Sequence, residues 1–256
     1  MKIDCARYAD EILNSVKECE NKKRLVILSV GDDPASKSYV KGKLKDCERC
    51  AIPYQYSNIT DDANRDFALH DAIRRANGDD MVGGIIVQLP LPDGMNEVFF
   101  TNCVKSSKDV DGFKYDSPFS PCTPEGIMIV LKKELGNLEG KDVLVIGKGK
   151  LVGKPLVPML MDEHCTVTVA GSRTKNFDEL CSRKWDAIVT AVGKANLLDL
   201  STVNAEVVID AGITRNDEGK LCGDCCGDNE NVRYTTVPGG IGLMTRAVLM
   251  SHMITK

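Results

Sequence analysis

The chain has 256 residues, 43% of them hydrophobic, and a formal net charge of −4 at pH 7. This length suffices for one large domain or two ordinary ones, and the acidic balance argues against non-specific binding to nucleic acids or anionic membranes. The start MKIDCARYAD lacks an apolar leader, and no apolar run is long enough for a membrane span. We therefore expect a cytoplasmic protein that binds small molecules or other subunits.

Eleven cysteines are scattered through the chain. Their odd number and apolar surroundings favour reduced core residues over a disulfide framework. Two C-x-x-C pairs, Cys47 with Cys50 and Cys222 with Cys225, could together supply four thiolates. The pairs lie much farther apart than those of ordinary zinc sites, and neither follows a strand as in a thioredoxin-like unit. We expect no metal site.

Apolar runs alternate with helical patterns along the whole chain. Strands are predicted at 24–30, 53–59, 82–89, 142–147, 165–170, 186–192 and 206–212. Helices are predicted at 4–21, 34–50, 63–76, 123–136, 152–163 and 241–255. The strand runs are continuously apolar, as in strands buried on both faces of a parallel sheet. The pattern predicts a doubly wound α/β fold, with a boundary between two lobes in the long polar loop 104–122.

The second predicted helix begins at Asp33 and Pro34, a pair typical of a helix start. Its spacing gives a buried stripe of Val40, Leu44 and Cys47. A polar stripe beside it consists of Ser36, Tyr39 and Lys43.

Lys43 is therefore expected at the edge of the buried face. Partial burial would suit it to general acid/base chemistry, whereas the alternative is that its side chain extends to water. The other lysines of this stretch, Lys37, Lys41 and Lys45, have no such neighbours.

Three further motifs, two in the N-terminal half and one near the C-terminal end, contain candidate catalytic or binding residues. In VQLPLP, Gln88 is the one polar side chain at the end of an apolar strand, where it could orient a catalytic group or simply end the strand. KDVDGF offers Asp109 and Asp111 before a glycine turn. VPGGIG, residues 237–242, suits flat contact with a ligand or forms an ordinary turn before the last helix.

The segment DVLVIGKGKLVGKP predicts a strand, a glycine-rich turn and a helix, with the glycines Gly147, Gly149 and Gly153. Such a turn lets a pyrophosphate approach the helix N-terminus, although a glycine turn alone also fits. The next strand ends in the sequence GSRT, residues 171–174, and has no acidic residue there for a ribose hydroxyl. Arg173 and Lys148 instead suit the 2′-phosphate of NADP, unless this is an ordinary surface loop. AVGK (191–194) and DAG (210–212) end two further strands at the edge where such folds bind ligands.

Six motifs occur in an order and spacing that resemble one family: ASKSYVKGK, VQLPLP, KDVDGF, PCTPEG, the glycine turn with VGKP, and VPGGIGLMT. They resemble the bifunctional methylenetetrahydrofolate dehydrogenase/cyclohydrolase family over essentially the whole chain. The resemblance implies a homodimer with a folate-binding catalytic lobe, residues 1–122 plus the helix 243–256, and a Rossmann-type NADP-binding lobe, residues 123–242. It implies oxidation of 5,10-methylenetetrahydrofolate with NADP and hydrolysis of the methenyl product to 10-formyltetrahydrofolate.

The resemblance also implies roles for individual residues. Lys43 would be the general acid/base of the hydrolysis, with Gln88 orienting it, Tyr39 beside the substrate ring and Asp111 on the pterin. The remaining substrate contacts would be Ser36, Pro238, Gly239 and Gly242. The cofactor contacts would be Gly147, Lys148, Gly149, Val152, Gly153, Ser172, Arg173, Thr174, Ala191, Val192, Gly193 and Ile213.

Some positions depart from the family pattern. Lys148 and Gly149 stand where an Arg-Ser pair is usual, Gly171 stands where a histidine is usual, and Thr236 and Leu243 replace two prolines. NAD therefore remains a possible cofactor, and a folate-binding protein or monofunctional cyclohydrolase with impaired dinucleotide binding is the alternative function. A two-lobed NADP dehydrogenase of the shikimate type would leave VQLPLP and KDVDGF unexplained.

Overall fold

The computed structural model describes residues 1–60, 63–216 and 218–254. Its helices are α1 (Cys5–Glu18), α2 (Pro34–Arg49), α3 (Arg65–Gly78), α4 (Glu97–Cys103), α5 (Cys122–Leu135), α6 (Gly153–Asp162), α7 (Phe177–Ser182) and α8 (Ile241–His252). Its strands are β1 (Arg24–Val30), β2 (Tyr54–Ile59), β3 (Val82–Val87), β4 (Asp142–Ile146), β5 (Thr166–Ala170), β6 (Lys184–Thr190), β7 (Leu198–Asp199), β8 (Asn204–Asp210), β9 (Thr214–Arg215), β10 (Leu221–Cys222), β11 (Cys225–Cys226) and β12 (Arg233–Tyr234). None of the helices within these described ranges is long and apolar enough to cross a membrane.

The chain forms two compact units. The central unit comprises Met1–Ala9 and Thr123–Thr245, and the N-terminal unit comprises Asp10–Cys122 and the chain from Arg246 onward. Two of the three divisions fall inside α1 and α8, so each of these helices contributes to both units, and the third follows the first residue of α5. The sequence predicts a catalytic domain of residues 1–122 with 243–256 and a cofactor-binding domain of residues 123–242. These functional limits remain a prediction.

The N-terminal unit contains a three-stranded parallel sheet in the order β2-β1-β3. Residues of β1, β3 and α3 form its core, among them Val26, Leu28, Leu69, Ile73 and Ile85. The last part of α8 packs here, because His252 Nδ1 lies 2.8 Å from the Val110 carbonyl oxygen.

The central unit contains a five-stranded sheet in the order β12-β8-β6-β4-β5, and all of its strand pairs are parallel. In its register, Ile146 at the end of β4 pairs with Ala170 and Thr190, and Thr190 pairs with Asp210. Four strands therefore end side by side, at the edge where open α/β sheets bind ligands. The predicted α/β architecture with its parallel sheets is confirmed.

Two parts of the predicted pattern differ from the structure. The edge strand β2 is exposed or half-buried along its whole length, and the edge strand β5 buries only Ala170, so the prediction of strands buried on both faces is wrong at both. The helices α4 and α7 were not predicted, because seven and six residues are too few to show a helical period.

Candidate functional site

The helix α2 carries the first group of candidate residues and begins as predicted. The Asp33 carboxylate accepts a hydrogen bond from the Ser36 backbone N–H at 2.6 Å, and Pro34 occupies the first turn. Val40 and Cys47 are buried, as the apolar stripe predicts, whereas Leu44 is half-buried. The helix therefore buries the face that the spacing of its apolar residues predicts.

Lys43 is the buried lysine of this helix, with 5% of its surface exposed, whereas Lys37, Lys41 and Lys45 are exposed. Its side-chain Nζ donates a hydrogen bond to Gln88 Oε1 at 3.1 Å. The alternative of a side chain extended to water is therefore wrong. The partner in this bond is a neutral amide and supplies no counter-ion, which suits the buried lysine to proton transfer.

Gln88 is held in one orientation directly after β3. Its backbone N–H donates to the Leu28 carbonyl at 2.8 Å, which extends the pairing of β3 with β1. Its side-chain Nε2 donates to the Leu89 carbonyl at 2.7 Å, so Oε1 is the atom that faces Lys43. The structure thus brings together the two residues that the sequence placed 45 positions apart.

Two more residues of α2 complete this group. The Tyr39 ring centroid lies 5.7 Å from Lys43 Nζ, within the range of a cation–π contact. The Ser36 hydroxyl, one turn earlier, is buried and has no hydrogen-bond partner within the described ranges of the chain. A buried hydroxyl without a partner is costly unless a ligand satisfies it, so this face of α2 is suited to binding one.

The loop 104–122 contains Asp109 and Asp111, which have different surroundings. Asp109 is buried, its Oδ2 accepts the Lys114 backbone N–H at 2.8 Å, and burial raises the pKa of its carboxyl group. Asp111 is half-buried, and its carboxylate makes no hydrogen bond in the described part of the chain. Gly112 has φ +70°, and a Cβ there would lie 2.4 Å from the Ser120 carbonyl oxygen. The glycine turn therefore fixes the loop, and Asp111 is the carboxylate available to a ligand.

Lys108, which the sequence analysis missed, attaches this loop to α3. Its Nζ donates to the carbonyl oxygens of Ala76, Asn77 and Asp79, at 2.9, 3.1 and 2.7 Å. The lysine adds a donor to carbonyl groups at the C-terminal end of a helix, where the Ala76 and Asp79 carbonyls also accept the backbone N–H groups of Asp79 and Val82. Burial lowers the pKa of Lys108.

A second missed feature is an ion pair beside Lys43. Arg246 Nε lies 2.8 Å from Asp46 Oδ2, and the pair joins α8 to α2. Its guanidinium crosses α2 at Gly42, where a Cβ would lie 2.1 Å from Arg246 Nη1. Burial raises the pKa of the Asp46 carboxyl, and the charge of Arg246 opposes that shift. A side chain at Gly42 would therefore displace the Arg246 guanidinium, next to the candidate catalytic lysine.

The remaining substrate candidates, Pro238, Gly239 and Gly242, belong to the central unit. Gly239 has φ +98°, and the Thr236 hydroxyl donates to the Pro238 carbonyl oxygen at 3.0 Å. Pro238 and Gly239 are exposed, which leaves this turn open to a ligand.

The glycine turn after β4 needs two of its glycines for backbone packing. Gly147 has φ +118°, and a Cβ there would lie 2.4 Å from the Ala191 carbonyl oxygen. A Cβ at Gly153, the first residue of α6, would lie 2.0 Å from the Gly147 carbonyl oxygen. At Gly149, by contrast, a Cβ would meet no heavy atom within 4 Å. The turn leaves open, side-chain-free space at the N-terminus of a ten-residue helix preceded by Val152, and this fits the phosphates of a dinucleotide.

Lys148 lies against the turn that follows β5. Its Cε would be 3.3 Å from a Cβ placed on Gly171. The turn is closed by two hydrogen bonds between Gly171 and Thr174, each 2.9 Å long, and Ser172 and Arg173 between them are exposed. The structure thus brings Lys148 to the same turn as Arg173, as an anionic group on the ribose would require.

The third segment at this edge follows β6. The Ala191 N–H donates to the Ile146 carbonyl at 2.8 Å, and Val192 and Gly193 beyond it are exposed. A Cβ on Gly193 would lie 3.3 Å from the Ile213 carbonyl oxygen, so the segments after β6 and β8 are neighbours. All the predicted cofactor residues therefore lie on segments that follow β4, β5, β6 and β8.

All eleven cysteines are free thiols, and no group of three or more potential metal-binding side chains occurs in the described ranges. Burial raises the pKa of the Cys47 thiol to about 12, whereas Cys222 is partly exposed. We expect iodoacetamide to modify Cys222 well before Cys47 in the folded protein, because the thiolate is the reactive form. Peptide mass spectrometry over a labelling time course checks this, and equal rates at both positions would contradict it.

Comparison with known proteins relates these features to a family. Residues 3–111 match the tetrahydrofolate dehydrogenase/cyclohydrolase catalytic domain, and residues 121–256 match the NAD(P)-binding domain of the same family. The bifunctional protein FolD of Oceanobacillus iheyensis is 38% identical over 94% of this chain and 89% of its own. The corresponding protein of Campylobacter jejuni is 41% identical over 90% of this chain and 86% of its own.

Solved structures agree with these relatives. The methylenetetrahydrofolate dehydrogenase/cyclohydrolase of Campylobacter jejuni superposes with a TM-score of 0.90 at 37% identity, covering 99% of this chain and 97% of the other. The Trypanosoma brucei enzyme, solved with NADP and an inhibitor, has a TM-score of 0.89 at 25% identity, covering 100% and 96%.

Proposed function

The chain belongs to the tetrahydrofolate dehydrogenase/cyclohydrolase family, and from that premise we propose that it oxidises 5,10-methylenetetrahydrofolate with NADP and hydrolyses the methenyl product to 10-formyltetrahydrofolate. The observation that carries the proposal is the buried Lys43–Gln88 pair, in a chain that matches both the catalytic and the cofactor-binding domain of the family. The relatives found are dehydrogenase/cyclohydrolase proteins, and none of them favours a binding protein without catalysis.

In the proposed hydrolysis, Lys43 is the group that moves protons. Water adds to the cationic methenyl carbon and loses one proton, which gives a neutral carbinolamine. The carbon–nitrogen bond then breaks, its nitrogen gains a proton, and the hydroxyl releases its own proton to solvent as the formyl C=O forms. The Lys43 amine can accept the first proton and return it to the nitrogen. Gln88 Oε1, at 3.1 Å from Nζ, keeps the side chain in one position throughout.

We propose that the other residues of the N-terminal unit bind the folate. Tyr39 contacts the substrate's aromatic ring, Asp111 accepts hydrogen bonds from the pterin, and Ser36 supplies its unpaired hydroxyl. The turn with Pro238, Gly239 and Gly242 provides further contacts. In this proposal, residues 1–122 with 243–256 form the catalytic domain and residues 123–242 form the NADP-binding domain.

When bound, NADP accepts the hydride of the methylene carbon. The proposed NADP site uses the open glycine turn at Gly149 for the pyrophosphate. Lys148 and Arg173 provide positive charge for the 2′-phosphate, with hydroxyls from Ser172 and Thr174. The segments at Ala191 and Ile213 contact the rest of the cofactor. We further propose a homodimer in the cytoplasm; the eleven free thiols fit a reducing compartment.

The choice of NADP over NAD is tested at Lys148. We expect Lys148→Met to lower kcat/KM for NADP about 10-fold relative to NAD, since a charge-assisted contact to the 2′-phosphate is lost. Initial rates with both cofactors provide the measurement. Lys150→Met, in the same turn, serves as the matched control, and an unchanged NADP/NAD ratio in Lys148→Met would exclude Lys148 from the phosphate site.

Two assays test the function as a whole. Titration of the protein with NADP should show saturable binding. The protein should also accelerate the hydrolysis of methenyltetrahydrofolate when no cofactor is present. Failure of both would overturn the proposal. Hydrolysis without NADP binding would instead identify a monofunctional cyclohydrolase.

A further inference from the structure

The loop 191–194, which follows β6, rests on a buried carboxylate. Asp224 is 0% exposed, and its Oδ2 accepts the Val192 N–H at 2.8 Å. Its Oδ1 accepts the N–H groups of Gly193 and Lys194, at 2.8 and 2.7 Å. Three successive backbone N–H groups therefore point inward at one carboxylate, an arrangement typical of an anion-binding nest.

The same carboxylate fixes the neighbouring segment after β8. A Cβ on Gly212 would lie 2.1 Å from Asp224 Cγ, so the backbone there packs directly against the carboxyl group. The next residue is Ile213, whose carbonyl borders Gly193. The buried Asp224 side chain thus contacts two adjacent segments, at residues 192–194 and at Gly212.

Asp210 in turn holds the segment that carries Asp224. Its Oδ1 accepts the N–H groups of Asp224 and Gly212, both at 3.0 Å, and its Oδ2 accepts the Cys225 N–H at 2.8 Å. A Cβ on Gly223 would lie 2.1 Å from Asp210 Oδ2. The Asp224 carboxyl group packs against Gly212, near Asp210, and the Asp210 carboxyl group packs against Gly223, next to Asp224. The two segments therefore fix each other's position.

The outer surface of the two supported segments is apolar. The side chains of Val192 and Ile213 are 48% and 52% exposed, which is high for residues of this type. Because the N–H groups of residues 192–194 are turned toward Asp224, the opposite side of the loop presents these side chains to a ligand. Such a surface suits the flat ring of a dinucleotide.

We propose that Asp224 is a positioning residue for dinucleotide binding, which acts by holding the loop 191–194 and the segment at Ile213 in the conformation that receives the cofactor. This inference rests on the proposed function, since it assigns a cause to the shape of the proposed NADP site. Asp224 does not touch the cofactor in this account; it acts through the backbone of its neighbours.

The test is Asp224→Asn, with the dissociation constant for NADP measured by isothermal titration calorimetry. The asparagine amide keeps one acceptor oxygen but turns an NH₂ group toward a backbone N–H. We expect the constant to rise about 10- to 100-fold, while cofactor-free methenyl hydrolysis stays within about twofold of wild type. A merely structural role would lower both functions together.

Asp186→Asn is the matched control. Asp186 Oδ2 also accepts a backbone N–H, from Asp142 at 2.8 Å, and Oδ1 lies 3.0 Å from Lys141 Nζ, at the opposite edge of the same sheet. We expect this variant to bind NADP like wild type. An equal rise in the dissociation constant for both variants would overturn the proposal.

If Asp224→Asn does not fold, Gly212→Ala provides the test. Its new Cβ displaces the Asp224 carboxylate, whereas the negative charge of that carboxylate is retained. A raised dissociation constant with hydrolysis intact supports the positioning role. An unchanged constant in either folded variant overturns it. A wild-type protein without saturable NADP binding would remove the NADP-dependent oxidation from the proposed function, which distinguishes the two failures.

Discussion

Lys43→Met is expected to lower the rate of methenyltetrahydrofolate hydrolysis about 10²- to 10⁴-fold, the usual contribution of a general acid/base. The methionine side chain has a similar length but cannot carry a proton. The apolar methionine side chain also costs less to bury than the polar lysine terminus, so the variant should fold. Folate binding should persist, because Tyr39, Ser36 and Asp111 are unchanged.

Lys45→Met provides the control for this experiment. Lys45 lies on the same helix, carries the same charge and is exposed. Its substitution should leave hydrolysis at the wild-type rate. A stopped-flow or absorbance assay of methenyl decay, with equilibrium binding of the substrate measured in parallel, gives both quantities. Wild-type hydrolysis by Lys43→Met would remove Lys43 from the mechanism.

Gly153→Ala is expected to abolish NADP-dependent oxidation while hydrolysis continues. The new Cβ would lie 2.0 Å from the Gly147 carbonyl oxygen, so the turn between β4 and α6 must move. A displacement of about 1 Å at such a site can cost 100-fold in rate. The catalytic residues proposed for hydrolysis lie in the other unit, which this substitution does not alter.

Gly149→Val separates cofactor binding from folding of the turn. A Cβ at this position meets nothing within 4 Å, so the melting temperature should stay near that of wild type. The valine side chain would nevertheless occupy the space proposed for the pyrophosphate, and we expect NADP affinity to fall about 100-fold. Thermal unfolding and calorimetric titration of both glycine variants check these expectations. Undiminished NADP affinity in Gly149→Val would place the pyrophosphate elsewhere.

The positions of Lys43 and Gln88 could be predicted from sequence, because each is a polar residue beside or at the end of a regular apolar pattern. Lys43 falls beside the apolar stripe of a helix, and Gln88 is the polar end of an apolar strand. Helical periodicity placed Lys43 at the edge of the core, and the end of the apolar run placed Gln88. The hydrogen bond of Nζ to Oε1 required the structure, since it depends on the Leu89 carbonyl that orients the amide.

Other features had no local signal. Lys108 binds three carbonyl oxygens about 30 positions earlier, and backbone acceptors leave no trace in side-chain patterns. Asp224 lies in a segment of cysteines and glycines without a helical or strand period, and its partners are N–H groups. Arg246 and Asp46 are 200 positions apart, and no local sequence pattern relates them, although their side chains form an ion pair. Long-range pairing and backbone partners therefore set the limit of prediction for this chain.

The most direct test of the whole account is a product analysis of the wild-type protein supplied with 5,10-methylenetetrahydrofolate and NADP. NADPH and the folate products are measured in the same time course. We predict that each NADPH formed is matched by one folate oxidised, and that 10-formyltetrahydrofolate accumulates faster than methenyltetrahydrofolate decays without the protein. Binding of both ligands with neither NADPH nor 10-formyltetrahydrofolate formed would contradict the account.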